Sequence, residues 1–97
     1  MQTGESLVAT YFFDTRDNAE FVEDDFGIEF DNLEAVKVEA ARALAELARD
    51  VIPGSLKRIL TVEVRDRQGP VLKAVMTFEA VLLRQVVGQT AVPISPD

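Results

Sequence analysis

Between Asp31 and Ile52 apolar side chains return at every third or fourth position: Leu33, Val36, Ala40, Leu44, Leu47 and Val51. On a helix these fall on one narrow stripe, with Glu34, Glu39, Arg42, Glu46 and Arg49 on the other faces. Such a stripe has to be laid on another layer, so the rest of the chain must supply one. Pro53 disfavours helical geometry in its predecessor and Gly54 frees the next turn, which ends the helix near Ile52. At the start, Asp31-Asn32-Leu33-Glu34 reads as a capping box, with Asp31 as N-cap and Glu34 at the third helical position. The acid-first pairs Glu34/Lys37, Glu39/Arg42 and Glu46/Arg49 are surface neighbours that each contribute a few tenths of a kcal/mol.

The second layer is a sheet. Leu7 to Asp14 is rich in β-formers and runs into the turn-like cluster Thr15-Arg16-Asp17-Asn18, where Asp17 and Asn18 tolerate positive φ; a second strand follows over about Ala19 to Asp24. Gly27 then breaks or bulges the chain. Beyond the helix, residues 58–66 alternate, as do residues 71–83 with Leu72, Ala74, Met76, Phe78, Ala80 and Leu82 on one face. Arg67-Gln68-Gly69 suits a three-residue hairpin loop with Gly69 left-handed, a register that sets Val64 opposite Leu72, Leu60 opposite Met76 and Glu63 opposite Lys73. The expected fold class is α+β, in the order β-β-α-β-β: a four-stranded antiparallel sheet with one amphipathic helix packed on one face. A β-grasp-like order is one option, and either hairpin could supply the central strands.

The chain of 97 residues fits a single domain, 1–97, with an ordered core over about 7–84 and a loose carboxyl-terminal tail over about 88–97. Apolar residues at 47% beside charged residues at 28% are those of an ordinary globular protein. Cys, His and Trp are absent. That removes disulfides, thiolate chemistry, zinc sites built on thiolate or imidazole, and the side chain that ordinarily titrates near neutrality, so a non-catalytic protein without cofactors is expected. The amino end has no basic n-region, and no apolar run approaches eighteen residues, which points to a cytoplasmic protein without a membrane partner.

Charge is divided along the chain: residues 1–50 hold 13 acids against 4 bases, residues 51–97 hold 4 against 6, and the net is -7. Folding the halves together gives internal complementarity, and the acidic surplus argues against binding phosphate backbones. The basic cluster Lys57, Arg58, Arg65 and Arg67 is accordingly read as matching the acidic half, although a β-ribbon carrying it could approach nucleic acid.

Tyr11-Phe-Phe-Asp14, Asp24-Asp-Phe-Gly-Ile-Glu-Phe30, the helix Ala40-Ala-Arg-Ala-Leu-Ala-Glu-Leu-Ala-Arg-Asp50 and Val62-Glu-Val-Arg-Asp-Arg-Gln-Gly-Pro70 together resemble a family of short uncharacterised alphaproteobacterial proteins, a domain of unknown function. Its pattern is Y-F-F-D, D-D-x-G-x-E, an L-A-x-L-A-R-D helix and V-R-D-x-x-G, and the match covers residues 11 to about 80. The resemblance implies no activity, cofactor or catalytic residue.

Candidate sites are few. The stretch Glu23 to Asp31 is dense in carboxylates, of which Asp24 and Asp25 are the weak candidates for a metal ion; anchoring an EF-hand loop with Gly27 at its sixth position would need oxygen ligands at Val22 and Phe26. Strand alternation also sends Asp24 to the opposite face from Asp25. The stretch is read as the end of strand two, a bend at Gly27 and the Asp31 cap. Asp25-Phe26-Gly27 echoes the kinase magnesium motif without its companion motifs. One helix covers one sheet face, so Phe12, Ile59, Val71, Val75 and Val81 on the other face form a candidate interface. The expected role is a small soluble interaction or accessory module, homodimeric, with an unidentified protein partner; an antitoxin-like regulator binding a protein or nucleic acid is the alternative.

Overall fold

The structure, a computed structural model, describes residues 8–84. The tail expected over 88–97 and Leu7 at the expected start of the first strand lie outside the described residues. The elements are β1 (Ala9–Asp17), β2 (Glu20–Val22), β3 (Ile28–Phe30), α1 (Leu33–Val51), β4 (Lys57–Asp66) and β5 (Gly69–Glu79). The α+β class with one helix and an antiparallel sheet is as expected, but the sheet has five strands in place of four, in the order β2-β1-β4-β5 with β3 also paired to β1.

The fifth strand arises because the expected second strand is cut in two. Thr15 faces Val22 in one pairing and Tyr11 faces Ile28 in the other. Phe12–Asp14 of β1 therefore run opposite the longer stretch Glu23–Gly27, which loops out and rejoins the same edge. β1 also passes straight through Thr15-Arg16 to Asp17, and the turn falls one residue later than expected, at Asn18-Ala19. Only Asn18 takes positive φ, at 55°. Its backbone N–H donates to the Ile59 carbonyl and its Oδ1 accepts from the Ile59 N–H, both at 2.9 Å, so the side chain stands in for a ladder carbonyl turned away by the backbone.

The second hairpin has the expected register, with Val64 opposite Leu72, Leu60 opposite Met76 and Glu63 opposite Lys73. Its loop is shorter than expected: Gly69, at φ 127°, already pairs with Asp66, leaving Arg67-Gln68 as the turn. The extra residue is absorbed by a bulge beside Val64 and Arg65. β5 stops at Glu79, short of the expected 83.

The helix lays Val36, Ala40 and Leu44 on Tyr11, Leu60, Val62 and Val64, which together form the buried core. Phe30 reaches under the helix to meet Tyr11 at a tilt and Phe13 edge-on. Leu33 departs from the expected stripe and stays 60% exposed, one turn before the sheet begins to cover the helix. The N-cap is Asn32, not Asp31: Asn32 Oδ1 accepts from the Ala35 N–H at 2.7 Å. Asp31 acts one step back, its Oδ1 accepting from Asn32 Nδ2 at 2.9 Å and so aiming the amide oxygen at the helix. Glu34 thereby falls at the second helical position, from which it cannot close a capping box.

Candidate functional site

Asp14 sits on the sheet face away from the helix and is 5% exposed. A carboxylate that deep needs partners, and it has three donor atoms: Arg65 Nε at 2.8 Å, Arg65 Nη2 at 3.3 Å and the Asp24 backbone N–H at 2.9 Å. Arg65 reaches it from β4, where it stands opposite Phe12, and its guanidinium lies 4.6 Å over the Phe12 ring. The same Nη2 donates to the Asp24 carbonyl at 3.0 Å and to Glu23 Oε2 at 3.3 Å. The bond to Asp14 leads the effects that raise the Arg65 pKa above its ordinary value, so this cation is fixed.

Asp24 completes the arrangement. Its Oδ2 accepts from the Phe13 N–H of β1 at 3.0 Å, replacing the strand carbonyl that the outward loop carries away. Its Oδ1 accepts from the Phe26 N–H at 2.9 Å and the Gly27 N–H at 3.3 Å. Burial by itself pushes the Asp24 carboxyl up, but these three backbone donors and the Arg65 charge outweigh it and hold the pKa below the ordinary value. Gly27, at φ 76°, closes the loop: a Cβ there would stand 2.6 Å from Thr10 Cγ2 and 2.9 Å from Phe12 Cε2. The backbone of Glu23–Gly27 is thus braced to both β1 and β4.

What the brace displays is Phe26, whose ring is 91% exposed at the tip of the loop. Exposed Glu23 and Asp25 precede it in the chain. Neither the aromatic tip nor the Arg65 brace was picked out from sequence, where Phe26 read as part of a chance motif and Arg65 as one of four basic residues. The signal available was the placement of Asp24 three residues before a glycine, which lets a carboxylate collect successive N–H groups.

The metal candidates separate. Both Asp24 oxygens are occupied by N–H donors, Asp25 is exposed, and among the described residues no group of three or more carboxylates is placed to hold a metal ion. The interface candidates also divide. Phe12 is half-buried between Arg65 and Gly27, and Val71, drawn in by the bulge, packs against the core. Ile59 and Val75 remain exposed on the open face at 45% and 53%, and Val81 is exposed beyond the end of β5. Of the basic cluster, Arg65 is held as described, and Arg58 Nη1 binds both oxygens of Asp17 at 2.6 and 2.7 Å while its Nε donates to Ser55 Oγ. With Arg16 on Glu63 at 3.3 Å, these bonds tie the acidic half to the basic half. A groove of about 470 Å³ beside the brace is lined by Asp14, Arg65, Leu72 and Lys73 among others, and its two deepest charges already satisfy each other.

Fold and site define a small α+β domain in which an antiparallel sheet, one helix and an acid-arginine brace hold up an exposed aromatic loop. The chain belongs to the family described as a domain of unknown function, DUF6894, which matches residues 10–78 and so spans every member of the brace. No curated protein and no solved structure matches the chain.

Proposed function

We propose that this is a small cytoplasmic, non-catalytic interaction module that works as a homodimer and engages a protein partner through Phe26. The observation that carries the reading is a phenyl ring 91% exposed on a loop whose backbone is fixed by Asp24, Asp14 and Arg65. A large apolar side chain held in water contributes nothing to its own fold, whereas burying it in a partner yields roughly 2–3 kcal/mol. Bracing the loop beforehand lowers the ordering cost of binding. The exposed acids that precede the ring suit an apolar pocket with a basic rim. The homodimer rests on the margin of the sheet face that the helix leaves open, where Val75 of the outer strand β5 is exposed beside Ile59. A non-catalytic role agrees with carboxylates engaged in structural bonds. For the antitoxin-like alternative, a nucleic-acid surface would have to do without Arg58 and Arg65, both turned to internal carboxylates.

The test compares two baits, wild type and Phe26→Ala, in quantitative affinity capture from the host lysate after nuclease treatment. The variant is expected to melt within about 0.5 kcal/mol of the parent, because the ring touches little. A protein held by the wild type and lost with Phe26→Ala bears the reading out; the same protein held equally by both baits removes Phe26 from the interface.

A further inference from the structure

We infer that two copies of this chain join edge to edge through β5, antiparallel about Met76, an inference that rests on the homodimer reading above. β5 ends the strand order, and no described residue pairs with its outer edge. The Ala80 N–H donates to the Leu56 carbonyl at 2.8 Å, and the β4–β5 register is unbroken from Leu72 to Glu79. Backbone groups alternate in direction along an antiparallel ladder, so even-numbered residues turn towards β4. Lys73, Val75, Thr77 and Glu79 therefore turn their N–H and C=O groups outward, with their side chains on the open face beside Glu63, Thr61, Ile59 and Lys57.

A twofold axis perpendicular to the sheet pairs residues that share both a face and an outward direction, which restricts the register to steps of two. Centring on Met76 sets Lys73 opposite Glu79 of the second copy and Val75 opposite Thr77, each twice by symmetry. All the outward groups from Lys73 to Glu79 are then paired, in about eight hydrogen bonds. On the helix face Ala74 meets Phe78, small against large, and Met76 meets itself. Centring on Val75 instead would set Glu79 against Val71, and centring on Thr77 would set it against Val75. Neither Lys73 nor Glu79 makes an ion pair among the described residues, so both charges are free for the seam. α1 packs on β4 and β5. With strands ~4.8 Å apart, the two helices would lie about 10 Å from each other, the distance at which helices pack.

The test is the oligomeric state of the full chain by analytical ultracentrifugation, with Lys73→Glu, Glu79→Lys and the double exchange. Each single variant sets like charges opposite each other twice and is expected to weaken the dimer roughly tenfold or more. The double exchange restores it, and mixing the two single variants yields the heterodimer in preference to either homodimer, because an all-acid edge then meets an all-basic one. Thr77→Pro removes an outward N–H without touching the β4 ladder and is expected to give a folded monomer. A wild-type dimer indifferent to the charge variants overturns this register and leaves the homodimer reading standing. A wild-type monomer overturns both, and one that dimerises only after removal of residues 85–97 identifies the chain's own tail as the occupant of the edge.

Discussion

Asn32 and Asp31 divide one task, and the division is measurable. Asn32 Oδ1 satisfies the Ala35 N–H, one of the helix donors with no partner in the preceding turn, while Asp31 only orients the amide. Asn32→Ala is expected to cost about 1 kcal/mol in denaturant unfolding, and Asp31→Ala distinctly less. Equal costs would mean that both side chains cap. The sequence pattern placed the cap one residue early, at Asp31, since Asp and Asn are equally good caps and sit side by side. What decides between them is tertiary: Phe30 is held in β3 opposite Ala9 and under the helix, which fixes where the chain can first turn.

Among the elements, the helix and the second hairpin were legible because their signals are local. Val36, Ala40 and Leu44 obey the helical period, and the alternation in β4 and β5 allows one register to bury Leu60, Val62 and Val64 together. The broken strand was not legible, because the brace that breaks it joins Asp14, Asp24 and Arg65 across long stretches of chain, and a period cannot report that. Its electrostatics give a directed prediction. Folding lowers the Asp24 pKa, so the unfolded chain binds the proton more readily as pH falls. Asp24 therefore stabilises fully above the ordinary value of 3.8, and that contribution drains away as pH drops through it towards the lower folded value. Asp24→Asn replaces an acceptor with an amide facing the Phe13 N–H or the Phe26 N–H, and is expected to cost about 2 kcal/mol at neutral pH. Urea unfolding at about pH 5 and about pH 3 should show the gap between variant and parent narrowing in acid. A constant gap would mean that Asp24 carries no charge-dependent stability.

For the whole molecule, stability should be graded across the sheet. β4 is central, paired on both sides, and contains the fully buried Leu60 and Val62, whereas every residue of β2 is exposed. Native-state hydrogen exchange is expected to find the slowest amides in β4, with those of β2 at least about tenfold faster. Uniform protection would instead mark the two as one cooperative unit. Among the described residues no helix is long and apolar enough to cross a membrane. The ion pairs Arg58–Asp17 and Arg65–Asp14 set bases of the second half on acids of the first, while Arg16–Glu63 joins the halves in the opposite sense. The charge asymmetry of the sequence is therefore consumed in part by the fold.

The interruption between β2 and β3 also governs how large an assembly can become. An intact outer strand would be a template for the next chain, and a sheet with two such sides can lengthen without limit. Here one side ends in two three-residue stubs separated by a protruding loop, which an incoming straight strand cannot follow. Among the described strands only β5 offers an unbroken outer edge, so the edge pairing proposed above would end at two copies, with the excursion that displays Phe26 as the stop against fibre formation.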